Sequence, residues 1–282
     1  MQIKKIITTG CSVSSGVLDT DPCTWPNQLA KYVTALDSSV VVKNLSIPSQ
    51  GQELIQKKAS LELIESLREY QPSEIAVIAM WSGLERRSLY VENRSVIQNL
   101  IVHWVENNFW WDSQFLDLKN HADSPRQEVL QLPGITGQLH NAPALFNQSP
   151  GWYIFSAARD DGPVSKAILN LTDTAANLHA NLESMIFLQN LCKVKGVKFY
   201  QQFMVTAILA DIEKMNHQIV NYLAEQIDFS TVISRTGIVD YFDNNWDYFV
   251  EPGNYHPNTK GHEIWFNSVM LPFLTNQGFF NE

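Results

Sequence analysis

Cysteine is scarce in this chain, with only Cys11, Cys23 and Cys192 in 282 residues. An odd, widely separated set reads neither as a disulfide framework nor as a zinc site. His103, His121, His140, His179 and His217 are scattered without metal-ligand spacing, so the expectation is no metal and no cofactor. Basic residues are also short, 20 Lys and Arg against 29 Asp and Glu, giving a net charge of −9. That balance excludes a general nucleic-acid binder, which needs a basic surface to meet phosphates. No apolar run approaches the length of a membrane span, and no membrane partner is expected. The first β-prone run begins two residues after Met1, which leaves no room for a secretory leader, so a cytoplasmic location is expected. Internal repeats and low-complexity tracts are absent.

What is present fits a globular protein: 45% apolar residues and 17% charged. The length accommodates one large domain, read here as 1–282 with an insertion. Strand-like and helix-like segments alternate. Ile3–Thr9 is a first strand and Trp25–Leu36 a first helix, with Pro26 in its opening turn. Val40–Leu45 is a second β-branched run, ending in the turn-rich Ser46-Ile47-Pro48-Ser49-Gln50-Gly51. A helix to about Tyr70 follows, with Leu61, Ile64 and Leu67 on one face, closed by Pro72. Ile75–Trp81 is nearly all apolar, as a central parallel strand must be when both faces are covered. A helical stretch from about Ser95 to Asn108 comes next.

From about Phe109 to Leu171 the rhythm breaks. This segment carries Phe109, Trp110, Trp111, Trp152 and Tyr153 among prolines and glycines, and reads as an aromatic insertion that is either scaffold or a substrate wall. Regularity returns with Leu178, Leu182, Met185, Leu188 and Leu191 on a long helix ending at Gly196, a strand at Val197–Val205, and a second amphipathic helix marked by Ile212, Met215, Ile219, Leu223 and Ile227. A short fifth strand at Thr231–Ile233 and a closing helix from about Asn258 to Leu274 complete the chain. The alternation predicts a parallel sheet with right-handed crossovers.

Two blocks carry chemistry. Near the start, Gly10-Cys11-Ser12 follows the first strand, where a serine hydroxyl can stand at the carboxyl end of a buried sheet. Near the end comes Asn254-Tyr255-His256-Pro257-Asn258, followed by Gly261-His262. Serine is inert near neutral pH without a base, and imidazole is the side chain suited to that task. With Thr24-Trp25-Pro26-Asn27 between them, these blocks resemble the SGNH/GDSL hydrolase superfamily, which begins with Gly-Asp-Ser and ends with a histidine-proline block.

The resemblance implies a three-layer α/β/α sandwich with a roughly five-stranded parallel sheet, flavodoxin-like in arrangement. It implies Ser12 as nucleophile and His256 as base, with Cys11 at the family's aspartate position and turned towards the core. The carboxylate that normally precedes the histidine is missing. Asn254 stands in its place and can orient the imidazole through its side-chain oxygen, with Glu251, Asp247 and Asp243 as alternatives from the same loop and a Ser-His pair as a third. The middle blocks depart from the pattern as well. Gly51 is the candidate oxyanion glycine, with Ser49 an alternative, and the usual Gly-x-Asn-Asp is replaced by Trp81-Ser82-Gly83-Leu84-Glu85-Arg86. Trp81, Ser82 and Arg86 are therefore the remaining candidates for oxyanion or substrate contacts.

The expected reaction is ester hydrolysis through an acyl-serine, with a small-molecule or glycan ester as substrate and removal of a small acyl group such as acetyl from a carbohydrate as the family's suggestion. Acyl transfer to another hydroxyl, and a retired fold that binds a glycan or partner protein, are the competing readings. Weak activity is expected from the two departures.

Overall fold

The computed structural model describes residues 2–15, 23–47, 50–84, 86–91, 151–156 and 173–280. At its centre is β1 (Lys5–Thr9), buried along its whole length. It pairs in parallel with β2 (Val41–Asn44) on one side and with β3 (Ile75–Trp81) on the other. β3 in turn pairs in parallel with β6 (Lys198–Phe203), giving the sheet order β2-β1-β3-β6. Helices flank the sheet in a three-layer α/β/α arrangement. Alternation along the strands sends Ile6, Ala76, Ile78, Met80 and Tyr200 into one core with α2 (Trp25–Leu36) and the closing helix, through Trp25, Leu29, Val33, Trp265 and Leu274. α3 (Gln52–Ser66) packs on β1 and β3 and contributes nothing to that cluster.

The fifth strand is reduced to a single parallel bridge between Gln201 and Val232, because a 3₁₀ turn at Phe229–Thr231 leads straight into it. The chain therefore runs outwards from β1 to β2 and back across to β3. Such a reversal opens a crevice at the carboxyl ends of β1 and β3, where α/β sheets bind ligands.

Two helix expectations need correction. Leu61 and Ile64 lie on the solvent side of α3, 44% and 46% exposed, while Lys58 and Glu62 face inwards. The inward side of α3 carries Leu54, Ile55, Ala59 and Leu63, all fully buried, and beside them Glu62 meets Lys5 and Lys43 at 3.1 and 2.7 Å. The second amphipathic helix is two, α5 (Ala207–Lys214) and α6 (Gln218–Ala224), because Met215 leaves helical geometry at ψ 110°. The long helix α4 (Thr174–Lys195) follows its pattern at Leu178, Leu182, Met185 and Leu188, all buried; at its end Cys192 is buried and Leu191 only half-buried, and Gly196 is left-handed at φ 73°. The closing helix runs as α7 (Thr259–Trp265), a π turn at Phe266–Met270, and α8 (Leu271–Asn276). Pro272 lacks the N–H that would bond one turn back, and the helix widens before it.

Lys58 is wholly buried, its ammonium donating to the Leu45 carbonyl, and burial pushes its pKa well below the ordinary lysine range. Between that lowered value and the ordinary one, the unfolded chain holds a proton that the folded chain does not, so stability rises with pH across this window and falls on acidification. Lys58→Met is expected to flatten this slope, measured as urea unfolding against pH; an unchanged slope would count against the assignment.

By its contacts the chain divides into two units, Met1–Leu84 with Ala175–Glu282, and Glu85–Thr174. In the second, β4 (Arg86–Val91) pairs antiparallel with β5 (Gly151–Ser156), from Arg86 opposite Ser156 to Val91 opposite Gly151. The expected helix at Ser95–Asn108 and the aromatics Phe109, Trp110 and Trp111 lie outside the described residues. Trp152 and Tyr153 are placed only as backbone positions on β5. Among the described residues no helix is long and apolar enough to cross a membrane.

Candidate active site

Tight packing requires the glycine that ends the first strand. A Cβ on Gly10 would strike the Ser14 side chain and come within 3.2 Å of Met80 Cβ. Beyond it Ser12 opens α1 (Ser12–Ser15). The turn is held from beneath: the Trp25 indole donates to Ser14 Oγ at 2.9 Å, and the Asn44 amide donates to the Ser14 carbonyl at 2.9 Å. Cys11 points into the core, fully buried, with its thiol 3.3 Å from Met204 Sδ. The thiol is thus turned away and Ser12, 9% exposed, holds the rim.

The second half of the site is a hairpin. β7 (Phe249–Glu251) and β8 (Asn254–Pro257) pair antiparallel with Glu251 opposite Asn254. Pro252-Gly253 connects them, and Gly253 at φ 83° supplies the left-handed residue that a type II turn needs after proline. Phe249 is buried between Phe242, Trp246 and Tyr255, which anchors the hairpin. Asn258 then fixes its exit. Its Oδ1 accepts from Gly261 N–H at 3.0 Å and caps α7, while its Nδ2 donates to the carbonyls of Asp247 (3.0 Å) and Phe249 (2.8 Å). Asn258→Ala is expected to cost about 2–3 kcal/mol, roughly 1 for the cap and up to about 1 for each clamp bond. Thermal unfolding checks this, and a loss below about 0.5 kcal/mol would contradict the clamp.

These two halves bring together residues 244 positions apart. His256 Nε2 lies 2.8 Å from Ser12 Oγ. Its Nδ1 lies 2.7 Å from Asn254 Oδ1, which also accepts the His256 backbone N–H at 3.3 Å. An amide oxygen can only accept, so Nδ1 carries the ring proton and Nε2 presents its lone pair to the serine hydroxyl. Behind the amide, Asn254 Nδ2 donates to Glu251 Oε1 at 3.3 Å. The series Ser12–His256–Asn254–Glu251 is therefore continuous, with Asn254 touching the ring and Glu251 one group further back.

The loops after β1, β2 and β3 are stitched together by two glutamines that the sequence reading did not single out. Gln50, fully buried, donates from Nε2 to the Gly10 carbonyl. Gln52 brackets Ser82, taking Ser82 N–H at 3.0 Å on Oε1 and donating from Nε2 to the Ser82 carbonyl at 2.6 Å. Their signal was their position on either side of Gly51, which caps α3. The single proton of the Ser82 hydroxyl is shared between the Gln50 carbonyl (2.8 Å) and Gln52 Oε1 (2.9 Å), so Ser82 is a tie between loops, not a donor to an oxyanion. Trp81 is fully buried with its indole on Gln201 Oε1 at 2.8 Å, a core position out of a substrate's reach. Arg86 belongs to the second unit, where it is buried at the start of β4. The alternative to Gly51, Ser49, lies outside the described residues. No cluster of three or more metal-ligating side chains occurs among the described residues.

No family model matches the chain, and no curated protein matches it significantly. A comparison with solved structures finds the crystal structure of YxiM from Bacillus subtilis at 14% identity and a TM-score of 0.43. The match covers 99% of this chain, which spans 58% of the YxiM chain.

Proposed function

We propose that this protein is a serine ester hydrolase of SGNH type, working through an acyl-serine on Ser12. The observation that carries the reading is the 2.8 Å contact between His256 Nε2 and Ser12 Oγ, made by a ring whose tautomer is already that of a base. In the first step His256 takes the Ser12 proton as Oγ bonds to the ester carbonyl carbon. The carbonyl electrons move onto oxygen, where the backbone N–H groups of Ser12 and Gly51 are the proposed donors. Collapse expels the alcohol, which leaves with the proton from Nε2. A water, deprotonated by the same nitrogen, then cleaves the acyl-serine, releases the acid and returns the proton to Ser12.

An ordered series of this kind supports turnover over a binding-only role, since a glycan-binding surface has no need of a base set against a serine. Removal of acetyl from a carbohydrate carries over from the SGNH resemblance. The test is acetate release from acetylated mono- and oligosaccharides, with a sugar acceptor included to register transfer. Release that disappears in Ser12→Ala is the expected result. Acetyl found on the acceptor instead of in water would move the reading to transfer, and neither product from any ester would refute it.

A further inference from the structure

Asparagine is a poor substitute for the triad carboxylate for two reasons. It carries no charge, and its amide can turn end for end, presenting N–H to the ring and freezing the tautomer that cannot act as base, at a cost of about 10⁴-fold. The hairpin answers both difficulties. We propose that Glu251 is a positioning residue for the Ser12–His256 pair, fixing the flip of the Asn254 amide and supplying through it the negative charge that the triad lacks. This rests on the catalytic reading given above.

Pro252-Gly253 places Glu251 and Asn254 directly opposite one another, so their side chains meet on one side of the hairpin. Glu251 Oε1 lies 3.3 Å from Asn254 Nδ2. A carboxylate only accepts hydrogen bonds, so it demands the NH₂ end of the amide. The His256 backbone N–H only donates, and at 3.3 Å it demands the oxygen end at Oδ1. Two unlike neighbours thus impose the same orientation, and the one left for Oδ1 faces His256 Nδ1 at 2.7 Å. The base tautomer follows from Glu251 as much as from Asn254. When His256 takes the serine proton, the new positive charge sits two hydrogen bonds from the Glu251 carboxylate, and charge-assisted networks of this kind polarise along their length.

Other titratable groups stand on the elements packed against the β7–β8 hairpin. The 3₁₀ turn at Trp246–Tyr248 carries Asp247 and Tyr248, and α7 carries Lys260, His262 and Glu263; α1 has no charged side chain. Lys260 lies over the Tyr248 ring, its ammonium 4.8 Å from the centroid, and Asn258 is held by Asp247 through the backbone carbonyl, not the carboxylate. Glu251 is the carboxylate hydrogen-bonded to the amide that meets the ring.

The experiment follows the second-order rate of inactivation by an alkyl fluorophosphonate against pH, for wild type, Glu251→Gln and Glu251→Ala, at low and high salt. Removing the charge favours neutral imidazole, so the acidic limb is expected to move to lower pH in both variants. The plateau rate is expected to fall by about threefold to tenfold, as for one charge at this range near the surface. Raising the salt should shift the wild-type limb the same way and leave the Glu251→Gln limb in place. A merely structural role would lower the rate without moving the limb or its salt response, and that outcome overturns the proposal. So does a Glu251→Gln profile that overlays wild type.

A second cycle reverses the sign of the expected effect. In Asn254→Asp two carboxylates face each other, so Glu251→Gln, harmful in the wild-type background, should raise the rate in the Asn254→Asp background. Harm in both backgrounds would contradict the assignment. Absence of any labelling of Ser12 in wild type would remove the catalytic reading itself, a different failure from an unmoved limb.

Discussion

Ser12→Ala is expected to lower kcat/KM on a simple aryl acetate by about 10⁴-fold or more, leaving whatever background the oxyanion donors and binding provide. On the proposed mechanism the hydroxyl oxygen is the atom that takes the acyl group, and no neighbour replaces it. Cys11, the adjacent nucleophile in sequence, is fully buried with its thiol on Met204. Cys192 is buried as well, which pushes its thiol pKa up to about 12 and makes it unreactive. His256→Ala should cost a similar amount, and the double variant should be no worse than either alone, because on the proposed mechanism the two residues work as one unit. Melting temperature should move little in Ser12→Ala, since the packing of the turn runs through Ser14, whose hydroxyl accepts from Trp25. Additive losses, or activity surviving in Ser12→Ala, would place the chemistry elsewhere.

Asn254→Ala is expected to lower the rate by about 10²-fold with a far smaller effect on KM, the size associated with a base displaced by about an ångström. The ring would lose the acceptor 2.7 Å from Nδ1, and with it both its orientation and its tautomer. The Glu251 carboxylate would lose its donor on Asn254 in the same step. Kinetics on the aryl acetate, with circular dichroism to verify the hairpin, separates this from unfolding. A change of less than about threefold would mean that His256 is held by something other than Asn254.

Much of the fold was legible because its signals are local. The apolar run Ile75–Trp81 could only be a central strand, and Pro26 with the following pattern set the α2 boundaries as observed. Other elements were misread. Leu61, Ile64 and Leu67 have helical spacing, yet Ile55, Ala59 and Leu63 have it too, and that stripe is the one turned inwards, beside the ion pairs of Glu62 with Lys5 and Lys43. The fifth strand had β-branched residues but too little length to form more than one bridge.

At the site, Ser12, His256 and Asn254 stood out as residue types at the chain's two ends, and the fold brings the three into one hydrogen-bonded series. The loop contacts were not legible in the same way. Ser82 and Trp81 were candidates by alignment with a degenerate block, whereas in the fold they are tied to Gln50, Gln52 and Gln201 of the scaffold. Partnerships between side chains far apart along the chain leave no pattern in one sequence. Glu251 was visible only as one of three acids in a loop; the register of a two-residue turn sets it apart.

The central claim is that Ser12 is a nucleophile activated by His256. It is tested most directly by treating the protein with an alkyl fluorophosphonate, then measuring intact mass and mapping the modified peptide. A single adduct on Ser12 is expected, absent in Ser12→Ala and slowed at least about 10³-fold in His256→Ala. No adduct, or an adduct that persists in Ser12→Ala, would contradict it.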